Sequence, residues 1–230
     1  MSVRCVLFDL FGTLVHYDPG RVTQAYPETY QVLAELGCEL SSAAALDVID
    51  RTFVEMDAWS KQQQREYSML DFSEKLFATL LSGTGHSQTD YFKFIDAYIR
   101  EWSRPVSPVH GVQALLSRAS KQFTLGLITN THYASMVSRI VQEHQLHGFQ
   151  VITTSVQHGR PKPHPDIFLD TLQQLDCSPQ QAVYVGDNYA ADYLGATGVG
   201  MQCYLLGKHA RVPRDYQIPT VIDLPLHLIR

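Results

Sequence analysis

The sequence predicts an α/β protein: a Rossmann-like, doubly wound parallel sheet with an all-helical domain inserted near its start. Three observations carry this. Apolar runs of strand length, bounded by turn residues, recur at Cys5 to Phe8, Thr124 to Thr129, Val151 to Thr153, Ala182 to Val185, Met201 to Leu206 and Thr220 to Ile222. Between most of them lies one amphipathic segment of helix length, the alternation that builds a parallel sheet with helices on both faces. From about Pro19 to Arg104 the alternation stops, and helical patterns run over Val22 to Leu36, Ser42 to Gln63, Leu70 to Leu81 and Thr89 to Trp102.

The first run, Cys-Val-Leu-Phe, is apolar throughout, as a strand buried on both faces must be, and it meets Asp9 and a Gly-Thr turn at once. Pro105, Pro108 and Gly111 mark the return from the insertion. The reading is a core domain of residues 1–18 and 105–230 and a helical domain of residues 19–104. A length of 230 residues suits one good core with an accessory domain. In the insertion, Trp59, Tyr91, Phe92, Phe94 and Tyr98 recur at near-helical spacing and are expected to pack its interior.

Composition narrows the function classes. Hydrophobic residues make up 45%, charged residues 18%, and the formal net charge is −5, an ordinary globular balance. Without a polybasic run the expected partner is a small-molecule substrate, with no nucleic acid and no membrane; a homo-oligomer stays open. Cys5, Cys38, Cys177 and Cys203 lack CxxC spacing and read as free thiols of a reducing compartment. The apolar stretch at the N-terminus is too short for a signal peptide or a membrane span, so a cytoplasmic location is expected.

Open α/β sheets bind ligands beyond the carboxyl ends of their strands. The residues placed there are Asp9, Gly12 and Thr13; Thr129, Asn130 and Thr131; Gly159, Arg160 and Lys162; and Gly186, Asp187, Asn188 and Asp192. Singly, each is ordinary in a turn, a cap or a solvated loop. Together they offer a chemistry. A rigid carboxylate such as Asp9 acts as a covalent catalyst if nearby positive charge stabilises the transfer. Lys162 and a divalent cation shared with Asp187 would both offset the cost of burying it, and an all-oxygen site suits magnesium (Mg²⁺). Thr129, Asn130 and backbone amides near Gly12 would donate hydrogen bonds to an anionic group.

In these residues the sequence resembles the haloacid dehalogenase superfamily. Its four motifs are matched in order by FDLFGTLV (Phe8 to Val15), LITN with Thr129, KPHPDIF (Lys162 to Phe168) and VGDNYAAD (Val185 to Asp192). The resemblance implies that Asp9 is the nucleophile, with Thr129 binding the transferring group beside Gly12 and Thr13. Lys162 would steady both, Asp187 would ligate Mg²⁺, and Asp192 would support the metal directly or through other ligands. It also implies a metal-binding carbonyl at Phe11, and makes the insertion a type-1 cap, a lid that excludes water.

The match departs at one place. Family phosphatases carry a second Asp two residues after the nucleophile as general acid, and this chain has Phe11 there. Loss of a positioned acid costs roughly 10²- to 10⁴-fold. The family's 2-haloacid dehalogenases also lack that Asp, because halide leaves without a proton, but their fourth motif is a Ser-Asn type loop without metal. Phe11 thus resembles the dehalogenases and Gly186-Asp187 the phosphatases. Beside carboxylates without a metal, Asp9 would have a raised pKa. The expected function is a Mg²⁺-dependent phosphatase of small phosphorylated metabolites. The alternatives are a haloacid dehalogenase-like hydrolase, or a non-catalytic protein that binds phosphate and Mg²⁺. Lys61, Arg65 and Tyr67 resemble the segment with which dehalogenases handle a carboxylate, and fit an exposed helix face as well. His16, Tyr17, His132 and His158 are the stand-ins for the missing acid, His16 first because it directly follows the nucleophile's loop.

Overall fold

The computed structural model describes residues 2–18, 25–81 and 85–226. In chain order its elements begin with β1 (Cys5–Phe8), β2 (Val15–His16), α1 (Pro27–Glu35), α2 (Ser42–Gln63), α3 (Met69–Leu80) and α4 (Gln88–Trp102). Then come β3 (Ser107–Pro108), α5 (Val112–Ala119), β4 (Thr124–Thr129), α6 (Ala134–Glu143), β5 (Phe149–Thr154), α7 (Ser155–His158) and α8 (Pro165–Gln174). The last are β6 (Ala182–Gly186), α9 (Leu194–Gly198), β7 (Gln202–Leu206) and β8 (Gln217–Ile218). Two compact units result, Met1–Tyr17 with Ser107–Arg230, and Asp18–Val106.

The first unit is built on a six-stranded sheet in the order β5-β4-β1-β6-β7-β8, parallel at every pairing. β1 lies between β4 and β6, with Phe8 beside Leu127 on one side and Val185 on the other. Its solidly apolar sequence follows from that place. Cys5 and Leu7 pack with Ile167, Phe168 and Leu172 of α8, while Val6 and Phe8, pointing to the opposite face, are equally buried. Because the chain fills β4 and β5 on one side of β1 and then crosses to β6 and β7, the order reverses between β1 and β6. That reversal is where such sheets open a crevice.

Two departures from the sequence reading have local causes. The run Thr220 to Ile222 is not a strand: Thr220 and Asp223 cap each other and wind Val221–Asp223 into a 3-10 turn, leaving Gln217–Ile218 as the sheet edge. The antiparallel pair β2 and β3 was invisible because each contributes only a two-residue strand. All four cysteines are free and buried.

Among the described residues, the second unit packs four helices around aromatic rings. Phe53 stacks on Phe72 with centroids 3.8 Å apart, Phe94 lies between Phe72 and Tyr98, and Tyr26 stacks on Tyr98 at 5.3 Å. Phe94 and Tyr98 are buried as expected, but Trp59 and Phe92 point outward and are 44% and 48% exposed. The expected helix over Val22 to Leu36 begins at Pro27, and residues 22–24 lie outside the described residues. α1 lacks a capping side chain at its own N-cap, Tyr26. Glu101, near the end of α4 and fully buried, supplies one: its carboxylate accepts hydrogen bonds from the Glu28 and Thr29 amides at 3.0 and 2.9 Å and from the Thr29 hydroxyl at 2.6 Å. No helix among the described residues is long and apolar enough to cross a membrane.

Candidate active site

Asp9 is the first residue beyond β1, and its amide, donating to the Val185 carbonyl at 2.9 Å, extends the ladder by one rung. The backbone direction is therefore fixed and the side chain buried, 6% exposed. Lys162 reaches it from the loop after α7. The Asn130 side chain brackets that loop, donating through Nδ2 to the Lys162 carbonyl at 3.0 Å and accepting from the Lys162 amide at 2.8 Å. Asn130, expected to donate to a bound anion, thus has its side chain turned to the Lys162 backbone. The ammonium donates to Asp9 Oδ1 at 2.7 Å, Asp192 Oδ1 at 2.6 Å and the Tyr184 hydroxyl at 2.9 Å.

The fourth motif is an ordered loop after β6. Asn188 Oδ1 accepts from the Ala190 and Ala191 amides, and the Asn188 amide donates to Asp192 Oδ2 at 2.9 Å, which turns Asp192 back beneath the strand end. Any side chain at Gly186 would overlap the Asp192 carboxylate. Asp187 stays exposed. Each of Asp9, Asp187 and Asp192 offers one carboxylate oxygen, and these lie within 4.8 Å of one another.

The turn after β1 closes on itself. Gly12 takes φ +83°, and a Cβ there would overlap the Asp187 carboxylate, so both conformation and space demand glycine. Its amide, expected to face an anion, donates instead to the Val15 carbonyl at 2.9 Å, while the Thr13 and Leu14 amides donate to Leu10. Thr13 is fully buried, and its hydroxyl donates to Asp9 Oδ2 at 3.4 Å. Phe11 is half-buried, its ring edge-on to Tyr17 at 5.6 Å. At the end of β4, next to β1, Thr129 is fully buried, and its hydroxyl has no hydrogen-bond partner among the described residues.

Electrostatics follow from this crowding. Burial pushes the Asp9 carboxyl up, Lys162 pulls it down and Asp192 pushes it up again, leaving it at about 7. Asp187, although exposed as a residue, has its carboxyl raised by partial desolvation and by Asp192. For Lys162, burial favours loss of the proton, but Asp192 and Asp9 outweigh it and hold the ammonium above its ordinary value. Of the stand-ins for an acid, His16 is exposed and His158 is paired with Asp170 at 3.0 Å. The Tyr17 phenol is raised by burial and then by Asp187 and Asp9, so it is electrostatically part of the site. Tyr67 is buried with its hydroxyl on Asp57 at 2.5 Å. Tyr184 escaped sequence reading because it sits inside an apolar strand. The signal was available, since a buried tyrosine hydroxyl needs a partner.

Parallel strands that deliver acidic groups and one buried ammonium to the switch point of the sheet define an open α/β protein with its ligand site at that crevice. The chain belongs to the haloacid dehalogenase-like hydrolase family, whose model matches residues 3–200. It is 27% identical over 227 residues to the glyceraldehyde 3-phosphate phosphatase of Methanothermobacter thermautotrophicus, covering 96% of this chain and 94% of that one. Among solved structures, the fold is similar to a 2-haloacid dehalogenase from Pseudomonas syringae pv. Tomato DC3000, with a TM-score of 0.73 and 23% identity over 97% of this chain and 96% of that one. It is also similar to a HAD phosphatase from Thermococcus onnurineus, with a TM-score of 0.63, 23% identity and 96% coverage of both chains. These structural likenesses establish the fold and leave the substrate open.

Proposed function

We propose that this chain is a Mg²⁺-dependent phosphatase of small phosphorylated metabolites that works through an aspartyl-phosphate on Asp9. The observation that carries the reading is a charge imbalance. Asp9, Asp187 and Asp192 bring three carboxylates to within 4.8 Å, and the ammonium paired with them is that of Lys162, so two negative charges stay uncompensated when all are ionised. An all-oxygen set with a deficit of two charges fits a hard divalent cation. Asp9 and Asp187 would hold it, with the Phe11 carbonyl; Asp192, already accepting bonds on both oxygens, fits better as the anchor of Lys162. When bound, the ion supplies the positive charge that offsets charge building on the transferring group.

The chain's own residues do the rest. Asp9 attacks phosphorus through one carboxylate oxygen, the ester P–O bond breaks, and the substrate oxygen departs. Thr129 offers its unused hydroxyl to the phosphoryl oxygens, and Lys162 keeps Asp9 aimed and partly neutralised. Water then attacks the phosphorus of the acyl phosphate, releasing inorganic phosphate and restoring Asp9. No carboxylic acid stands two residues after Asp9. Tyr17, which keeps its proton at neutral pH, is the group that lends a hydrogen bond to the departing oxygen; that oxygen takes its proton from solvent water, and the water that attacks phosphorus returns one to solvent. A small phosphorylated sugar is the favoured class, in line with the name of the methanogen relative.

Phe11 favours a second reading, loss of a group that needs no proton, such as halide. One experiment separates them: hydrolysis of an aryl phosphate by wild type, Phe11→Asp and Asp9→Asn, each with Mg²⁺ and with chelator. The phosphatase reading expects slow, Mg²⁺-dependent turnover by wild type, about 10²-fold or more from Phe11→Asp, and none from Asp9→Asn. No phosphate release from any of the three with Mg²⁺, together with metal-independent halide release from a 2-haloacid, would sink it.

A further inference from the structure

We propose that the loop after β7 is a second anion site, which takes a phosphate group on Lys208, His209 and Arg214. β7 runs parallel to β6 and through it to β1, so this loop leaves the sheet at the same end as Asp9, Thr129 and Asp187. Three cations, Lys208, Arg211 and Arg214, fall within seven residues there, in a chain whose formal net charge is −5. Among the described residues none of the three enters an ion pair. The partner that Arg51 finds in Asp47, or Lys75 in Glu55, is missing here. Lys208 and Arg214 line a groove of about 850 Å³ together with His209 and Gln217, and none of the described residues that line it is acidic. Asp215, although next to Arg214 in sequence, lies outside that lining. Uncompensated positive charge gathered at a concave surface attracts an anion.

The loop also holds a hydrogen-bond donor still. Gln217, the first residue of β8, brackets the His209 backbone, accepting from its amide at 3.0 Å and donating to its carbonyl at 3.0 Å. The His209 carbonyl takes the Val212 amide as well, at 3.1 Å. The His209 ring lies flat on Tyr189, with centroids 3.7 Å and planes 14° apart, and its Nδ1 accepts from the Arg211 amide at 3.3 Å. With Nδ1 used as an acceptor, the neutral ring carries its proton on Nε2 and keeps that N–H to donate. Tyr189 is two residues beyond Asp187 and stacks in turn on Tyr193, so the groove is joined by rings to the loop of the fourth motif. A fixed N–H between an ammonium and a guanidinium suits the oxygens of a phosphate, the ring giving direction and the two cations giving charge. That phosphate is either the second one of a bisphosphorylated substrate whose first lies at Asp9, or free phosphate, and the recognition chemistry is the same.

Inorganic phosphate is the probe. In NMR of histidine-labelled protein at fixed pH, the His209 ring signals, identified by their absence in His209→Gln, are expected to shift on adding phosphate and to saturate. Sodium chloride of the same ionic strength should leave them in place. Lys208 and Arg214 are exposed, so the double variant Lys208→Ala with Arg214→Ala should keep the wild-type melting temperature. Its phosphate affinity at His209 should be lower by about ten-fold or more, as for loss of hydrogen bonds to a charged group, while Thr129→Val, changed in the active site, responds as wild type does. No saturable shift, the same shift with chloride, or undiminished affinity in the double variant would overturn the proposal. Kinetics with Mg²⁺, an arm that rests on the phosphatase reading, then identify the source. If the anion is part of the substrate, KM for a sugar bisphosphate lies about ten-fold or more below that for the monophosphate, and the double variant erases the gap without changing kcat for the monophosphate. Equal KM values, with the NMR response present, assign the groove to free phosphate. Should wild type hydrolyse no phosphate ester, the proposed function fails by itself, and the NMR titration still decides for or against the site.

Discussion

Lys162 Nζ stands 2.7 Å from Asp9 Oδ1, although the two residues are 153 positions apart in the chain. Both are buried, so the pair has a large effect when one partner is removed. Lys162→Met leaves Asp9 and Asp192 in the interior without their cation. Urea unfolding at pH 7 without metal should find this variant less stable by roughly 3–5 kcal/mol, and it should not hydrolyse aryl phosphate. Unaltered stability would mean that the carboxylates are not ionised in the resting protein.

The Thr129 hydroxyl separates stability from activity. Valine has the same shape and removes a buried donor that finds no partner among the described residues. Thr129→Val should therefore unfold at an unchanged temperature or up to a few degrees higher, while kcat/KM falls roughly 10- to 100-fold. Parallel losses of stability and activity would show instead that the hydroxyl supports the fold.

The pH dependence follows from Asp9. Its carboxyl is raised from 3.8 to about 7 on folding, chiefly by burial, so between those values the native state holds a proton that the unfolded chain has released. Stability then falls as pH rises: the contribution is complete below 3.8 and lost as pH passes about 7. A metal ion needs the same group ionised. Without metal, the melting temperature should decline from pH 5 towards pH 7.5, and added Mg²⁺ should raise it more at pH 7.5 than at pH 5.5. A Mg²⁺ effect that is equal at the two pH values would place the ion elsewhere.

Glu101 controls the helical unit in the same way as a cap on its own helix would. Glu101→Ala leaves the Glu28 and Thr29 amides and the Thr29 hydroxyl without their acceptor. The expected loss is about 3 kcal/mol on denaturant unfolding. Proteolysis of the native variant should cut first within residues 25–40, whereas a uniform loss across the protein would tie Glu101 to global stability.

Much of the site was legible because strand-end chemistry is local. The runs that become β1, β4 and β6 are apolar throughout and end in turn residues, so Asp9, Thr129 and Asp187 could be assigned to one end of a sheet before any coordinates. Asn130 and Gly12 have protein partners that the sequence did not foretell, for a common reason. Their residue types indicate what they can donate or permit, but the partner is chosen by whichever backbone group lies closest, and that was the Lys162 peptide in one case and the Val15 carbonyl in the other. Trp59 and Phe92 looked like interior residues because spacing reports a helix face and not whether anything covers it.

The sequence by itself determined the α/β class, the order of the four motifs and the helical insertion, because apolar periodicity and turn chemistry act over a few residues. Only the tertiary structure decided that Lys162 would meet Asp9, Asp192 and Tyr184, that Glu101 would cap a helix more than 70 positions away, and that Thr129 would keep a hydroxyl to offer. Those outcomes depend on which strands lie side by side, and burial makes each hydrogen bond there a matter of geometry that no local pattern encodes.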